Sequence, residues 1–284
     1  MQIIDLKEGE KLTLKNDGFL SLFFVGVGSA FSKLHYQTNL LIIKADTHLL
    51  VDCGTLTPMA LWKYGCPIVN ISNFLITHSH ADHIGGLEEA ALMGRYVVKK
   101  KPNMIITEEY SHILWDMSLK GGIRFNEKHI KGGLVFTDVF HALHPTLVSN
   151  TPREYWNIDF ENLNIKLFRT KHIPDSVQSW EDAFLSYGII IDEKILFTSD
   201  TQFDPDLIHD FLKLYPTIEF IFHDCQFFKG GVHCSYEELL TFPEEIRKKM
   251  YLTHYGDNFA NFNPIKDSFL GFAEQGKFYN LIAK

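Results

Sequence analysis

Apolar, β-branched runs of strand length recur along the chain: Leu20 to Val27, Asn39 to Lys44, His48 to Asp52, Phe74 to Thr77, Ile165 to Thr170, Ser186 to Ile191, Ile195 to Ser199, Ile218 to His223 and Met250 to Thr253. Most are hydrophobic at odd and even positions alike, the pattern of strands covered on both faces. Helical periodicity lies between them, over Met59 to Tyr64, Ile84 to Tyr96, Glu108 to Leu119, Asp206 to Tyr215, Ser235 to Leu240 and Glu244 to Lys249. Several of these open on Thr, Asp, Ser or Pro, as helix starts require. Strand and helix alternate, which predicts an α/β protein in four layers, αββα. The stretch from about 120 to 164 resists this scheme, because Gly121-Gly122, Gly132-Gly133, Pro145 and Pro152 interrupt any long element. It is expected to be an irregular cap or excursion on a single domain spanning 1–284.

Composition changes this picture little: 45% hydrophobic and 22% charged residues describe a chain that folds throughout. The opening residues lack the layout of a secretion signal. The longest apolar stretch, around Phe19 to Val27, falls short of the roughly 20 residues of a membrane span, so a cytoplasmic location is expected. Net charge is −8, and the five arginines (Arg95, Arg124, Arg153, Arg169, Arg247) are scattered, which argues against a nucleic-acid partner. The one basic run, Lys99 to Lys101, reads as a solvated turn. Cys53, Cys66, Cys225 and Cys234 show no close-paired spacing and read as reduced thiols, mostly in the core.

The chemistry concentrates in Thr77-His78-Ser79-His80-Ala81-Asp82-His83, which follows an apolar strand and precedes Gly85-Gly86 and a helix. In extended chain, residues two apart face the same way. His78 and His80 can therefore reach one metal while the following turn redirects Asp82 and His83 to a second. Histidine and aspartate are costly to bury unpaired, so four such residues within six positions are hard to explain as packing.

This motif resembles the His-x-His-x-Asp-His signature of the metallo-β-lactamase superfamily. Further motifs follow in the family's order. Val25-Gly26-Val27-Gly28-Ser29 looks like its Gly-rich hairpin, Asp52-Cys53-Gly54 like its strand-ending Asp-x-Gly, and Lys171-His172-Ile173-Pro174 like its third-histidine motif. Ser199-Asp200-Thr201 looks like the bridging aspartate and Thr253-His254-Tyr255 like the last histidine. The resemblance implies two divalent metal ions, one on His78, His80 and His172, the other on Asp82, His83 and His254, with Asp200 between them. Asp52 is then either a partner that orients a ligand histidine or a turn-capping aspartate before Gly54. Phe222-His223-Asp224-Cys225 and Val232-His233-Cys234-Ser235 look in part like elements of the tRNA 3′-processing and cyclic-nucleotide phosphodiesterase branch, with His233 in the place of a proton donor and Asp224 in that of its partner. The alternative leaves His233 at the pocket mouth and Cys234-Ser235 as a helix cap. His35, His112, His129, His141, His144 and His209 lack ligand spacing and read as surface or satisfied core residues.

Two uses of such a site compete. In the first, metal-activated water attacks phosphorus while His233, supported by Asp224, protonates the leaving oxygen. Only about 27 residues separate His172 from Asp200, which leaves no room for an RNA-binding arm, and arginine is absent from every motif loop. A small cyclic nucleotide survives these objections better than RNA. In the second, the same ligands hold iron, with zinc or manganese as alternatives, and a di-iron pair binds O₂. Phe220, Phe222, Phe227, Phe228, Tyr255 and Phe259 would then form a dry wall, and 24 phenylalanines in all is a high count. This use resembles that of flavodiiron proteins and of oxygen-binding di-iron sensors. The chain departs from flavodiiron enzymes in having His80 where they have Glu, and no flavodoxin-like domain follows. The sequence places the oxygen-binding sensor, signalling to another protein, narrowly ahead of the phosphodiesterase. A homodimer is the default assembly.

Overall fold

Runs that are hydrophobic on both parities have only protein to face, and the strands they form are buried along nearly their whole length. The computed structural model describes residues 1–127 and 132–282 and arranges these strands in two mixed eight-stranded sheets. The chain divides into two units, Met1–Gly26 with Tyr36–Pro145 and Gln275–Lys284, and Val27–His35 with Thr146–Glu274; each unit contains one sheet.

In the first unit, β1 (Gln2–Asp5), β2 (Leu20–Gly26), β3 (Asn39–Lys44), β4 (Thr47–Val51), β5 (Asn73–Leu75), β6 (Asn103–Ile105) and β7 (His141–Leu143) are joined by the C-terminal strand Lys277–Leu281. That strand lies between β1 and β2, and the others follow in numerical order. Pairing is antiparallel as far as β4 and parallel from β4 to β7. Parallel neighbours need crossovers. The connections contain α1 (Thr57–Lys63), then α2 (Ala81–Ile84) and α3 (Leu87–Met93), then α4 (Glu108–Leu114), α5 (Lys120–Ile123) and α6 (Phe136–Val139).

The second unit repeats the plan. Its strands β8 (Thr146–Ser149), β9 (Tyr155–Phe160), β10 (Leu163–Arg169), β11 (Tyr187–Ile191), β12 (Ile195–Phe197), β13 (Phe220–Asp224), β14 (Met250–Thr253) and β15 (Gly271–Phe272) lie in numerical order. They are antiparallel to β12 and parallel beyond it. The crossovers carry α7 (Pro205–Leu214), α8 (Tyr236–Leu239) and α9 (Glu244–Arg247). Helix α7 starts where the Asp204 side chain accepts from the Leu207 amide at 3.2 Å. It buries Leu207, Ile208 and Phe211 in a core with Phe168, Ile190, Leu196 and Ile221.

Crossover connections leave the carboxyl ends of parallel strands open, which is where α/β proteins build their sites. Asp52 follows β4, His78 lies just beyond β5, Asp200 beyond β12, Asp224 ends β13 and His254 follows β14. Three residues at these ends, Asp52, Ser199 and His254, take left-handed backbone at φ +66°, +50° and +58°. For residues with a Cβ that is sparsely populated, and such strain gathers where surrounding contacts fix a functional side chain.

The segment Ile84 to Tyr96, expected as one helix, is instead broken. Gly85 and Gly86 separate α2 from α3, because the Gly86 amide donates to Cys53 O at 2.8 Å rather than continuing a helical ladder. A widened turn over Gly94–Val98 then ends the helical stretch. All four cysteines are buried free thiols. His112, His141, His144 and His209 are exposed, His35 packs against Tyr255 and Phe259, and His129 lies outside the described residues. No helix among the described residues is long and apolar enough to cross a membrane.

Candidate metal centre

In the first unit, the turn after β5 delivers the four residues of the His-x-His-x-Asp-His motif. His78, Asp82 and His83 are buried, and His80 is half-buried. Gly54 makes this possible. A Cβ on it would run into the Asp82 carbonyl, so only glycine lets the Asp52–Gly54 segment lie against α2. The same contact is sealed by the Cys53 amide, which donates to His83 O at 2.7 Å.

Asp52 organises the ring orientations. Its carboxylate accepts from the Thr77 amide at 2.8 Å, from Thr77 Oγ1 at 2.8 Å and from His83 Nδ1 at 2.7 Å. Of the two roles open to it in the sequence, it therefore takes that of orienting a histidine; the Gly54 amide goes instead to Asn39 Oδ1. Burial pushes its carboxyl upward from the ordinary value, and His83 and Thr77 counter that push. The Thr77 hydroxyl, having given its proton to Asp52, can only accept from His78 Nδ1, 3.1 Å away. His78 and His83 are thereby both held with Nε2 as the lone-pair nitrogen.

The second unit brings its expected residues to one place as well. His172 Nδ1 donates to Val232 O at 2.7 Å, which again leaves Nε2 as the lone-pair nitrogen, here 3.7 Å from Asp200 Oδ2. His254 Nε2 lies 3.5 Å from the same oxygen. Burial holds His172 down at about 4, so the imidazole is neutral at physiological pH. His233 Nδ1 donates to Asp224 Oδ2 at 2.8 Å, and the Thr201 amide donates to that oxygen at 2.9 Å. Asp224 Oδ1 lies 3.6 Å from His254 Nδ1, so this carboxylate stands between the two imidazoles. Asp200, Asp224, His233 and His254 each offer a ligand atom within 4.8 Å of the others.

Whether such donors suit a metal can be tested on their spacing. Two nitrogens on one tetrahedral ion, each about 2.0–2.1 Å from it, stand about 3.3 Å apart. His78 Nε2 and His80 Nδ1 are 3.1 Å apart, and His83 Nε2 and Asp82 Oδ2 are 3.3 Å apart. Both pairs are spaced as edges of a coordination tetrahedron, and the donors are imidazole and carboxylate, which zinc, manganese and iron all accept. The residues fit a divalent metal.

Among solved structures, the chain is similar to the metallo-β-lactamase fold protein YhfI from Bacillus subtilis, at 17% identity and TM-score 0.60 over 92% of this chain and 99% of that one. It is also similar to the short form of human tRNase Z, at 19% identity and TM-score 0.61 over 91% and 98%. The fold and its candidate ligand cluster define a metallo-β-lactamase-fold protein. The family described as Anti-Pycsar protein Apyc1 matches residues 20–279, and the Anti-Pycsar protein Apyc1 of Bacillus phage BSP38 is 39% identical over 261 residues, 90% of this chain and 96% of the relative. The chain belongs to the Apyc1 anti-Pycsar family.

Membership of that family overturns the di-iron, oxygen-binding sensor that the sequence placed first. Two physical reasons explain the error. The donor set does not discriminate among metals, so it carried no information for iron. Half of the supposed dry wall is also committed to packing: Phe222 stacks on Tyr251 at 5.2 Å, and Tyr255 meets Phe259 at 5.3 Å and Phe272 at 4.7 Å. Sequence reading also missed contributors. Thr77, the Val232 carbonyl and Gln202, which donates to His172 O, all orient histidines. Only Thr77 carried a signal, a hydroxyl immediately before the first histidine.

Proposed function

We propose that this chain is a metal-dependent phosphodiesterase that opens small cyclic nucleotides. His78, His80, Asp82, His83, His172, Asp200 and His254 would hold two divalent ions. Bound there, the ions supply Lewis acidity toward phosphate oxygens and lower the pKa of water. Hydrolysis needs no redox step, so iron loses its advantage and zinc or manganese suffices.

His233 is the proton donor in this reading. Its Nδ1–H is fixed on Asp224, so in the imidazolium form the Nε2–H is the proton it would give to the leaving ribose oxygen. Asp224 positions the ring and, with the Thr201 amide on the same oxygen, is itself held in place. The pairing of His233 with Asp224 at 2.8 Å beside Asp200 is the observation that carries the reading, because an oxygen receptor has no use for a proton donor oriented in this way. An anti-Pycsar role also calls for removal of a small cyclic-nucleotide signal.

Protein stripped with chelator and reloaded with zinc or manganese is expected to convert a nucleoside cyclic monophosphate to the linear monophosphate, followed by ³¹P NMR. His233→Ala is expected to lower kcat by about 10²–10⁴-fold with metal content intact. A reloaded wild type that leaves every cyclic nucleotide untouched would refute the reading.

A further inference from the structure

A polar cavity of about 340 Å³ in the second unit is bordered by His233 and lined by Lys171, Asp175, Gln178, Gln202 and Glu238. Most of its hydrogen-bonding groups are already in use. Glu238 caps α8, accepting from the Ser235 amide at 2.9 Å and from Ser235 Oγ at 2.6 Å. Gln202 Nε2 donates to His172 O at 2.6 Å and to Pro174 O at 2.7 Å. Asp175 accepts from Ser176 Oγ, and Gln178 donates to Ser176 O, both at 3.0 Å. Lys171 is the exception. Its ammonium makes no ion pair and no hydrogen bond with any described residue, although two carboxylates line the same cavity.

This lysine does not trail into solvent from slack chain. It is half-buried, and its carbonyl accepts from the Gln202 amide at 2.6 Å and from Thr201 Oγ1 at 3.4 Å. Its backbone is therefore fixed to the loop that follows Asp200, and the next residue is His172. An unpaired ammonium on fixed backbone adds nothing to the fold. To an anion it offers a point charge whose ordering cost is largely met in advance. On a chain of net charge −8 it also offsets the repulsion that a nucleotide meets on approach.

We propose that Lys171 anchors the phosphate of the nucleotide from this polar cavity, and that it holds the opened phosphate monoester more tightly than the cyclic diester. The inference rests on the hydrolase reading above and deepens it by assigning a phosphate-binding residue outside the metal ligands. The difference between the two ligands follows from their charge. A cyclic diester carries one negative charge, whereas a phosphate monoester carries about 1.5–2 at neutral pH, so one cation gains more from the second.

The test uses metal-loaded full chain with a nucleoside cyclic monophosphate as substrate and the corresponding linear monophosphate as the calorimetric ligand. Lys171→Met keeps the length of the side chain and removes its charge. It is expected to raise the Kd of the linear monophosphate by about tenfold or more and the KM of the cyclic one by a smaller factor, with metal content unchanged. The dependence of that Kd on salt should flatten, because one screened charge is gone. Lys171→Arg should recover most of the affinity, which a residue that merely shapes the loop would not. Lys194→Met, which removes a lysine paired with Glu219 at 2.9 Å, serves as the control and should change nothing. If Lys171→Met binds the linear monophosphate as wild type does, or if Lys171→Arg loses as much as Lys171→Met, the ammonium does not hold the phosphate and the proposal falls. If wild type turns over no cyclic nucleotide, the hydrolase reading fails, and the calorimetric comparison still decides whether Lys171 binds a phosphate monoester.

Discussion

At the scale of single residues, one buried carboxylate sets the tautomer of two histidines. Asp52 accepts the Nδ1–H of His83 directly and, through the Thr77 hydroxyl, requires His78 to present Nε2. Asp52→Asn tests this with the least disturbance, because asparagine tolerates the left-handed backbone at φ +66°. Its amide cannot accept from both Thr77 and His83 as the carboxylate does. Metal affinity is expected to fall by about 10–100-fold, measured by competition with a chelating dye, while far-ultraviolet circular dichroism stays that of wild type. Affinity within a factor of two of wild type would show that Asp52 does not orient the ligands. That His78, Asp200 and His254 stand just beyond strand ends and that His233 meets Asp224 could be anticipated from the sequence, because their spacing is local or their motifs come in a fixed order. Val232 and Gln202 could not, since they act through a carbonyl and an amide that the fold alone brings to His172.

At the scale of elements, the central strands could be read from their apolar runs, and the outer ones could not. β8 is an edge strand exposed at three of its four residues, β9 mixes buried and half-buried positions, and β6 and β7 are three residues long, so none shows a run of uniform hydrophobicity. All four fall outside the apolar runs for that reason. The helix expected over Ile84 to Tyr96 failed for a different cause, a glycine pair whose amide is spent on a neighbouring strand end. That junction yields a prediction. Gly54→Ala places a methyl group against the Asp82 carbonyl, so α2 must shift or the strand end must bend. Urea unfolding of the metal-free variant is expected to show a loss of about 1–3 kcal/mol. A midpoint equal to that of wild type would mean the two segments separate freely.

At the scale of the whole molecule, the net charge of −8 weighs against polyanions but says little about a small ligand with one negative charge. Scarcity of arginine was equally uninformative, because two of the five serve the fold: Arg153 donates to Arg169 O and to Asp204, both at 3.0 Å, and Arg169 donates to Ala183 O at 2.8 Å. Function was therefore less legible than fold, since metal choice and substrate leave no trace in the donor set. The buried histidine gives the metal-free protein a pH signature. Unfolded His172 takes a proton near its ordinary 6.5, whereas the folded one does so only near 4, so the unfolded state binds more protons between these values. Stability from this residue is present above pH 6.5 and is lost as pH falls toward 4, on the order of 3 kcal/mol in all. Melting temperatures of chelated wild type and His172→Asn over that range check it, and the variant should fall less steeply. The central claim is that His78, His80, Asp82, His83, His172, Asp200 and His254 would hold one pair of ions, and metal stoichiometry of His83→Ala, His254→Ala and their double variant tests it most directly. If these two histidines share one ion, each single variant and the double variant retain the same metal content, one ion fewer than wild type. A double variant that loses more metal than either single one would show that His83 and His254 do not share an ion, and would contradict the account.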